Sequence, residues 1–399
     1  MREMKVDIRN LFLGLIVFSP FVDFILELVA PVLARRYVLL VLAYGIVIFH
    51  RGKHSRKKIY KILLFDFFLF MELYITIFYR GISKILSADF YGYILFALWL
   101  MMFSDEELLE QLKYMIQRYK QLLIKLMLAF IIATIVYQLV ILKGVRYFRG
   151  PFEISHILAY FCIEFYAVTI VAEKDIIPNE NHEDHKWILL VKVLCIGVVL
   201  MSAVRSAAIA LAILIVVDYL KIRSFQKKSV IFAIGFLAIV YIVYGTNLLG
   251  NIPLFSKTIE AVSAGSITNG REVFSAYVLE RWKQFDVPSK LFGVGIDKIR
   301  DILFEIERVR IHAHNDFVNI LVGYGYIGMG FIIVGLFSFI KGTKNIWLLL
   351  LMAVLMYYNG IFMYTYLCME LPIIKIALMS VNQENGDNEV DDREQNGFE

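Results

Sequence analysis

The chain has 399 residues, of which 59% are hydrophobic, 15% aromatic and only 19% charged. Its mean hydropathy is +0.68. Soluble globular domains are about 45–50% apolar and about 25% charged, so this composition excludes a soluble enzyme, a disordered protein and a coiled coil. The formal net charge of +5 says little by itself, because in a membrane protein the positions of the charges matter.

The N-terminal segment has the charge pattern of a signal peptide but not its length. Arg2, Lys5 and Arg9 precede an apolar run that extends to about residue 34 and is interrupted by Asp23 and Glu27. The apolar region of a signal peptide is about 7–15 residues long. We therefore interpret this run as the first membrane span.

About twelve segments are apolar and long enough to cross a bilayer as helices, which takes roughly 20 residues each. They are residues 11–30, 33–49, 62–80, 90–103, 122–142, 155–172, 188–203, 206–220, 230–247, 317–340, 345–359 and 361–380. The predicted fold is therefore an all-α polytopic membrane protein. Its parts are an N-terminal bundle (1–247), a large outer loop (248–316), C-terminal helices (317–380) and a disordered acidic tail (381–399).

The basic residues predict the orientation of the chain. With the N-terminus inside, the inner loops hold about 20 Lys and Arg residues and the short outer loops about seven, the bias expected for cytoplasmic loops. Both termini are then cytoplasmic and segment 248–316 is outside. Residues 104–121 have one apolar face and are expected to form an interfacial helix on the cytoplasmic side.

The cysteines, the histidine cluster and the acidic residues of the apolar runs predict ion pairs rather than a metal site. The three cysteines lack disulfide and metal-ligand spacing. A cluster from His182 to His185 falls in an inner loop, where a solvated loop is favoured over a metal site. Asp66, Glu72 and Glu164 lie within apolar runs, and we expect them to pair with lysines or arginines or to line a substrate groove.

The large outer loop is predicted to contain two helices. Asn269 and Glu272 have capping-box spacing, which places Arg271 in the first turn of a helix whose apolar residues extend to Phe285. A guanidinium at such a helix start favours phosphate binding, although an ordinary surface arginine fits the pattern as well. After the turn at residues 293–295, a second helix has an apolar face made of Ile299, Ile302, Leu303 and Ile306.

The outer loop ends in a polar motif just before a span. Arg308 and Arg310 precede His312, Ala313, His314, Asn315 and Asp316. Two histidines at the mouth of a membrane helix are costly unless they are used, and a histidine near its ordinary pKa of about 6.5 can take a proton from a hydroxyl. The alternative is a set of polar residues that cap the helix.

Two more outer features stand beside predicted spans. Arg205 follows a break between two apolar runs and needs either a protein carboxylate or an anionic ligand. Arg149 and the segment that leads to His156 precede another span. The predicted topology puts these features and the outer loop on the same side.

Together these motifs resemble those of the O-antigen ligase/polymerase superfamily of bacterial membrane glycosyltransferases. The resemblance covers about residues 146–330. It rests on Gly150-Pro151-Phe152 ahead of His156, on Arg205-Ser206-Ala207, on Gly270-Arg271 with Trp282, on Gly293-Val294-Gly295, on the motif from His312 to Phe317 and on Gly325-Tyr326-Ile327-Gly328.

The resemblance implies a GT-C-like fold, location in the bacterial cytoplasmic (inner) membrane, and metal-independent, inverting transfer of glycans carried on undecaprenyl pyrophosphate. In this scheme His314 is the base, and Arg205 and Arg271 bind the pyrophosphate. His312, Asn315, Arg308, Arg310, Arg149 and His156 are supporting candidates. No cofactor and no nucleic acid are implied; the partners are the lipid-linked oligosaccharide, membrane lipid and, for a polymerase, a chain-length regulator.

Three functions remain open from the sequence. A repeat-unit polymerase for O-antigen or capsule is preferred, because nothing marks a lipid A core or protein acceptor. A ligase shares the same motifs. A flippase or ion-coupled transporter would also have about twelve spans, but we find no internal repeat of the kind that such transporters show.

Overall fold

The computed structural model describes residues 8–29, 56–173, 182–220, 252–263, 271–308, 310–341, 346–358 and 370–379. These residues form helices and short connections, with no strand among them. The all-α class is thereby confirmed. The predicted spans 33–49 and 230–247, the capping residue Asn269 and the tail 381–399 lie outside the described residues.

The named helices are, in chain order, α1 (Ile8–Val17), α2 (Ser19–Val29), α3 (Arg56–Ile75), α4 (Ala88–Met102), α5 (Glu106–Arg118), α6 (Lys120–Val140), α7 (Ser155–Glu173), α8 (His182–Ser202), α9 (Arg205–Leu220), α10 (Pro253–Ser263), α11 (Arg271–Lys283), α12 (Val287–Phe292), α13 (Ile296–Glu307), α14 (Asp316–Ile340) and α15 (Ile346–Tyr358). Residues 370–379 are also helical.

Within the described part of the chain, four helices are long and apolar enough to cross a membrane: Lys120–Val140, Ser155–Glu173, His185–Ser202 and Asp316–Ile340. Two further predicted spans, 62–80 and 90–103, are the arms of a pair, Leu63–Ile85 and Asp89–Met102, bent by 116°. A π-helical turn (Thr76–Gly81) and a 3₁₀ turn (Ile82–Leu86) make this bend. Counted as one crossing, the pair raises the number to five.

The first predicted span, 11–30, is two helices rather than one. α1 ends at Val17 and α2 begins at Ser19, with Phe18 between them. Pro20 explains the break, because proline has no N–H to donate and its ring clashes with the carbonyl four residues earlier. The predicted span is therefore interrupted at Phe18.

The described residues divide into two compact units. The first contains the described residues within 1–112, 268–344 and 352–371, and the second those within 113–267, 345–351 and 372–399. Each unit combines segments that are distant in the sequence.

Aromatic stacking joins α3, α4 and α14 in the first unit. Tyr93 stacks on Tyr324 with ring centroids 3.6 Å apart, and Phe68 stacks on Phe331 at 3.3 Å. The Tyr93 hydroxyl also donates to the carbonyl of Gly328 at 3.0 Å. These contacts fix the span that follows the histidine motif.

Helices α6 to α10 form the second unit, and α7 is buried along most of its length. Phe130, Phe152, Phe161 and Phe165 pack edge to face or stacked around its first half. Aromatic packing of this kind aligns α6 with α7 at the end where the Gly150-Pro151-Phe152 motif enters.

Candidate active site

The two helices predicted in segment 248–316 are present as α11 and α13, and α10 and α12 are two further helices that were not predicted. α11 begins at Arg271, so this arginine lies in the first turn, and Val278 and Trp282 are buried on the apolar face. In α13, Ile299, Ile302 and Leu303 are buried. Ile306, predicted on the same face, is exposed at 40% because it lies in the last turn of the helix.

A break in α14 receives the turn at Gly293-Val294-Gly295. Gly325 has φ +72°, outside the helical region, so the helix loses backbone hydrogen bonds at this point. The carbonyls of Val322 and Gly323 instead accept from the N–H groups of Val294 (3.0 Å) and Gly295 (2.9 Å). The motif at residues 293–295 therefore contacts the glycine-containing break of α14. This contact fixes the outer segment against the span.

Asparagine side chains hold the histidine motif in place. Asn315 caps α14, and its side-chain oxygen accepts from the N–H groups of Phe317 (3.0 Å) and Val318 (3.3 Å). Asn319, fully buried one turn later, accepts from the N–H of Ala313 at 3.2 Å. Asn319 was missed in the sequence analysis, although its spacing of four residues from Asn315 places both on one helix face.

His314 has a left-handed backbone, with φ +52°. A residue with a β-carbon rarely adopts this conformation, which costs about 1–3 kcal/mol and is found most often at functional sites. The capped helix and the buried Ala313 on either side maintain it.

The two histidine rings lie together, with centroids 4.2 Å apart and planes inclined at 46°. Burial lowers the pKa of His312 to about 4, and the positive charges of Arg300 and Arg271 contribute to this shift. His312 is therefore neutral at physiological pH. Both arginines are close enough to act on its charge, so Arg271 belongs to the same site as the histidines.

Arg271 is half-buried and anchored at its side chain. Its Nη1 donates to the carbonyl of Tyr358, near the end of α15. This contact holds the guanidinium in position next to the start of α11.

The other two arginines of the outer segment lie on its surface. Arg308 ends α13 with φ +57° and is exposed. Arg310 forms an exposed ion pair with Asp301. Both precede the histidine motif in the sequence, but neither side chain is buried with the histidine rings.

A group of ion pairs near the histidines escaped the sequence analysis. Arg300 on α13 binds Asp89 at the start of α4 through both terminal nitrogens, at 2.8 and 2.9 Å. Asp297 pairs with Arg300 at 3.1 Å and also with Lys84. The sequence did indicate that Arg300 needs a partner. Arg300 lies four residues after the buried Ile296 and three before the buried Leu303, which puts a charged side chain on the apolar face of α13.

Arg80 joins the bent pair of helices to the outer segment. Its Nη1 donates to Glu72 at 2.9 Å and its Nη2 to the carbonyl of Phe292. The expected pairing of Glu72 with a basic residue is confirmed. Since Arg80 and residue 292 were both predicted on the outer side, the contact agrees with the predicted topology.

Arg205 lies in the second unit, where it is the first residue of α9 and is half-buried. The break before it is sharp, since Ala203 has φ +58°. Ser206 and Tyr160 share a hydrogen bond of 2.7 Å that ties the start of α9 to α7. The predicted interruption between two apolar runs is confirmed.

Arg149 and His156 also lie in the second unit. Gln138 accepts from the N–H groups of Arg149 (3.0 Å) and Gly150 (3.1 Å), and the Arg149 guanidinium donates to the carbonyl of Glu153 at 2.8 Å. His156 is in the first turn of α7, half-buried. These contacts give the motif a structural role in addition to any binding role.

The first unit thus contains a half-buried histidine that is neutral, a second histidine with a left-handed backbone, and two arginines whose charges lower the pKa of the first histidine. Such a set can take a proton from a hydroxyl and stabilise a nearby anion.

The comparisons with known proteins point to one family. Residues 190–333 match a family model described as O-antigen ligase. The matched stretch includes Arg205, Arg271, His312 and His314, and it begins after Arg149 and His156. No curated protein and no solved structure matches the chain.

Proposed function

We propose that this chain is a glycosyltransferase of the O-antigen ligase/polymerase superfamily, whose family model matches residues 190–333, and that it polymerises lipid-linked repeat units of a bacterial surface polysaccharide. The substrate in this proposal is an oligosaccharide on undecaprenyl pyrophosphate. The acceptor is the sugar hydroxyl of a second carrier-linked repeat.

The histidine motif is the observation that carries the proposal. His314 adopts a left-handed backbone with its ring 4.2 Å from the ring of His312, in the segment that the family model matches. Backbone strain at a half-buried histidine, next to arginines that act on its neighbour, is typical of a site for chemistry rather than for packing.

The proposed reaction needs one base and one stabilised leaving group. The O–H bond of the acceptor breaks and its proton passes to His314, while the oxygen forms a bond with the anomeric carbon of the donor sugar. The bond from that carbon to the pyrophosphate breaks, and its electron pair stays on the phosphate oxygen. Attack from the face opposite the leaving group inverts the anomeric carbon.

In this proposal Arg271 compensates the charge of the pyrophosphate, since one guanidinium group can bind two phosphate oxygens. The family resemblance assigns the same role to Arg205. His312 and Asn315 support His314. Arg149 and His156 are further substrate-binding candidates. Arg308 and Arg310 would attract the diphosphate from the exposed surface.

A ligase is the second candidate, and the description of the matched family favours it. It would transfer the glycan to lipid A core or to protein with the same residues. For either function we propose the cytoplasmic membrane, with both termini inside and segment 248–316 outside; a polymerase would work with a chain-length-regulating partner.

The experiment is the surface-glycan ladder of cells whose only copy of the protein carries His314→Ala. Loss of a general base typically lowers a rate about 10²–10⁴-fold, so the ladder should collapse to a single-repeat band. If unattached polymer accumulates on the lipid carrier instead, the protein is a ligase.

The matched control is His185→Ala, because His185 is an exposed histidine that pairs with Glu173 in the second unit. Immunoblots of the membrane fraction establish that all variants are present at the wild-type level. An unchanged ladder in the His314→Ala cells would contradict the proposal and favour a transporter.

A further inference from the structure

A polar cleft lies where the bend between α3 and α4 meets the start of α13. The residues that line it come from the bend, from α4, from the start of α13 and from α14, and all of them belong to the first unit. They include Arg80, Lys84, Ser87, Asp89, Asp297 and Tyr324. The cleft is partly open, and its enclosed part has room for about one water molecule or one hydroxyl group.

Arg80 brings a buried donor to this cleft. Its side chain is only 2% exposed, and its Nη1 donates to Glu72 at 2.9 Å and to Thr76 at 3.1 Å. Its Nη2 donates to the carbonyl of Phe292. Within the part of the chain that the structure describes, its Nε–H has no hydrogen-bond partner. A buried donor of this kind is costly to the fold unless an oxygen atom from solvent or from a ligand accepts from it.

Lys84 and Asp297 form an ion pair at the opening of the cleft. Their side chains are 41% and 36% exposed. An ion pair exposed to this extent adds little to stability, because water screens it. An ammonium group has three donors and a carboxylate has several acceptor sites, so both groups can hold a further partner while they hold each other. The opening therefore offers a donor and an acceptor side by side.

The balance of charge around the cleft indicates what kind of ligand fits it. Each basic group is paired with an acidic one, and the pairs are Arg80–Glu72, Lys84–Asp297 and Arg300–Asp89. These six groups together carry no net charge, so they do not concentrate a phosphate or a pyrophosphate. A sugar hydroxyl, in contrast, donates one hydrogen bond and accepts others. It suits a place where donors and acceptors alternate.

The position of the cleft is within reach of a glycan bound at the histidine motif. Tyr324 lies eight residues after Asp316, the first residue of α14, and this part of the helix is regular up to the break at Gly325. The cleft is therefore about 12 Å along the helix axis from the end of the motif. A short oligosaccharide covers that length, and the predicted topology puts the bend and the turn at residues 293–295 on the outer side.

We propose that this cleft is a sugar-binding subsite, in which a neutral sugar of the lipid-linked repeat places one hydroxyl between Arg80, Lys84 and Asp297. The identity of the glycan rests on the proposed function. No bond is made or broken in the cleft: its residues hold the repeat by hydrogen bonds, and the transfer takes place at the histidine motif.

The test is the binding of free repeat oligosaccharide, released from its extracted lipid carrier by mild acid, to purified full-length protein. Saturation-transfer NMR gives the dissociation constant. Lys84→Gln and Asp297→Asn should each weaken binding roughly 5- to 20-fold, because each removes a charged partner of the hydroxyl. In the transfer assay both variants should raise KM by a similar factor with little change in kcat, since neither residue touches the reacting atoms.

Controls separate binding from folding. Arg281→Gln breaks an exposed arginine–carboxylate pair with Glu305 in the same outer segment, and it should bind the oligosaccharide like the wild type. Melting temperatures of all variants should stay close to that of the wild type, because the changed groups are exposed. Asp297 also pairs with Arg300, so if Asp297→Asn melts early, Lys84→Gln decides.

The inference is overturned if both variants bind the oligosaccharide with wild-type affinity; the Nε–H of Arg80 would then donate to a buried water. It is also overturned if inorganic pyrophosphate displaces the oligosaccharide and binds Lys84→Gln more weakly than wild type, because the cleft would then be an anion site. The proposed function fails separately, if His314→Ala transfers glycan as fast as the wild type.

Discussion

His312 shows how a single side chain connects the fold of this protein to its chemistry. Burial and the charges of Arg300 and Arg271 keep its pKa at about 4, whereas a histidine in an unfolded chain titrates near 6.5. Between these values the unfolded chain binds a proton that the folded chain does not bind. Acidification from pH 6.5 to 4 should therefore destabilise the fold. Above pH 6.5 His312 is neutral in both states, and the free energy of unfolding no longer depends on its proton.

His312→Gln should remove this acid sensitivity. The shift corresponds to roughly 3 kcal/mol in the wild type, so between pH 7.5 and 4.5 the wild-type melting temperature should fall more steeply than that of the variant. Differential scanning fluorimetry of the purified protein measures both. His185→Gln should keep the wild-type slope, and equal slopes for His312→Gln and wild type would show that His312 is not held neutral.

At the level of helices, the break in α14 is the feature on which the site depends. An added β-carbon at Gly325 would overlap the backbone of Leu291 and Gly293, and one at Gly293 would overlap that of Gly323. Both glycines also have positive φ, which other residues adopt only at a cost. The turn and the span can approach this closely only because both positions lack a side chain.

Gly325→Ala should therefore destabilise the protein by about 2 kcal/mol or more, because strain and overlap occur together. Gly330→Ala is the matched control on the same helix, since nothing lies within 4 Å of its added β-carbon. Alanine there should be neutral or stabilise by up to about 1 kcal/mol. Thermal melting of the two purified variants measures the difference in stability. Similar melting temperatures would mean that the contact with residues 293–295 does not matter for stability.

Much of the local structure could be predicted from the sequence, because it depends on nearest neighbours. The start of α9 at Arg205 follows from the polar break between two apolar runs, and that of α11 at Arg271 from the capping-box spacing of Asn269 and Glu272. The Asp89–Arg300 pair could not be predicted, since 211 residues separate its members and no local pattern links them. The contact between the glycine motifs was missed for the same reason, although each motif was recognised.

For the whole molecule, the positions of the basic residues predict the topology, and the contacts of Arg80 with residue 292 and of Arg146 with Glu260 join segments predicted on one side. In a variant without the native cysteines, Glu307→Cys should react with a membrane-impermeant maleimide added to spheroplasts. Glu110→Cys, exposed on α5, should react only after lysis. The reverse labelling pattern would invert the orientation and remove the outer segment from the side where surface glycans are assembled.

In the proposed function, this protein transfers glycan from a lipid pyrophosphate with its own side chains. The most direct test incubates purified wild-type protein and His314→Ala with extracted lipid-linked repeat in the presence of EDTA, and resolves the products on a gel. We predict a ladder of lipid-linked polymer for the wild type, with no loss of rate in EDTA, and only the starting repeat for His314→Ala. Unchanged substrate with folded wild-type protein, whether or not lipid A core is added as acceptor, would contradict the proposed transferase function.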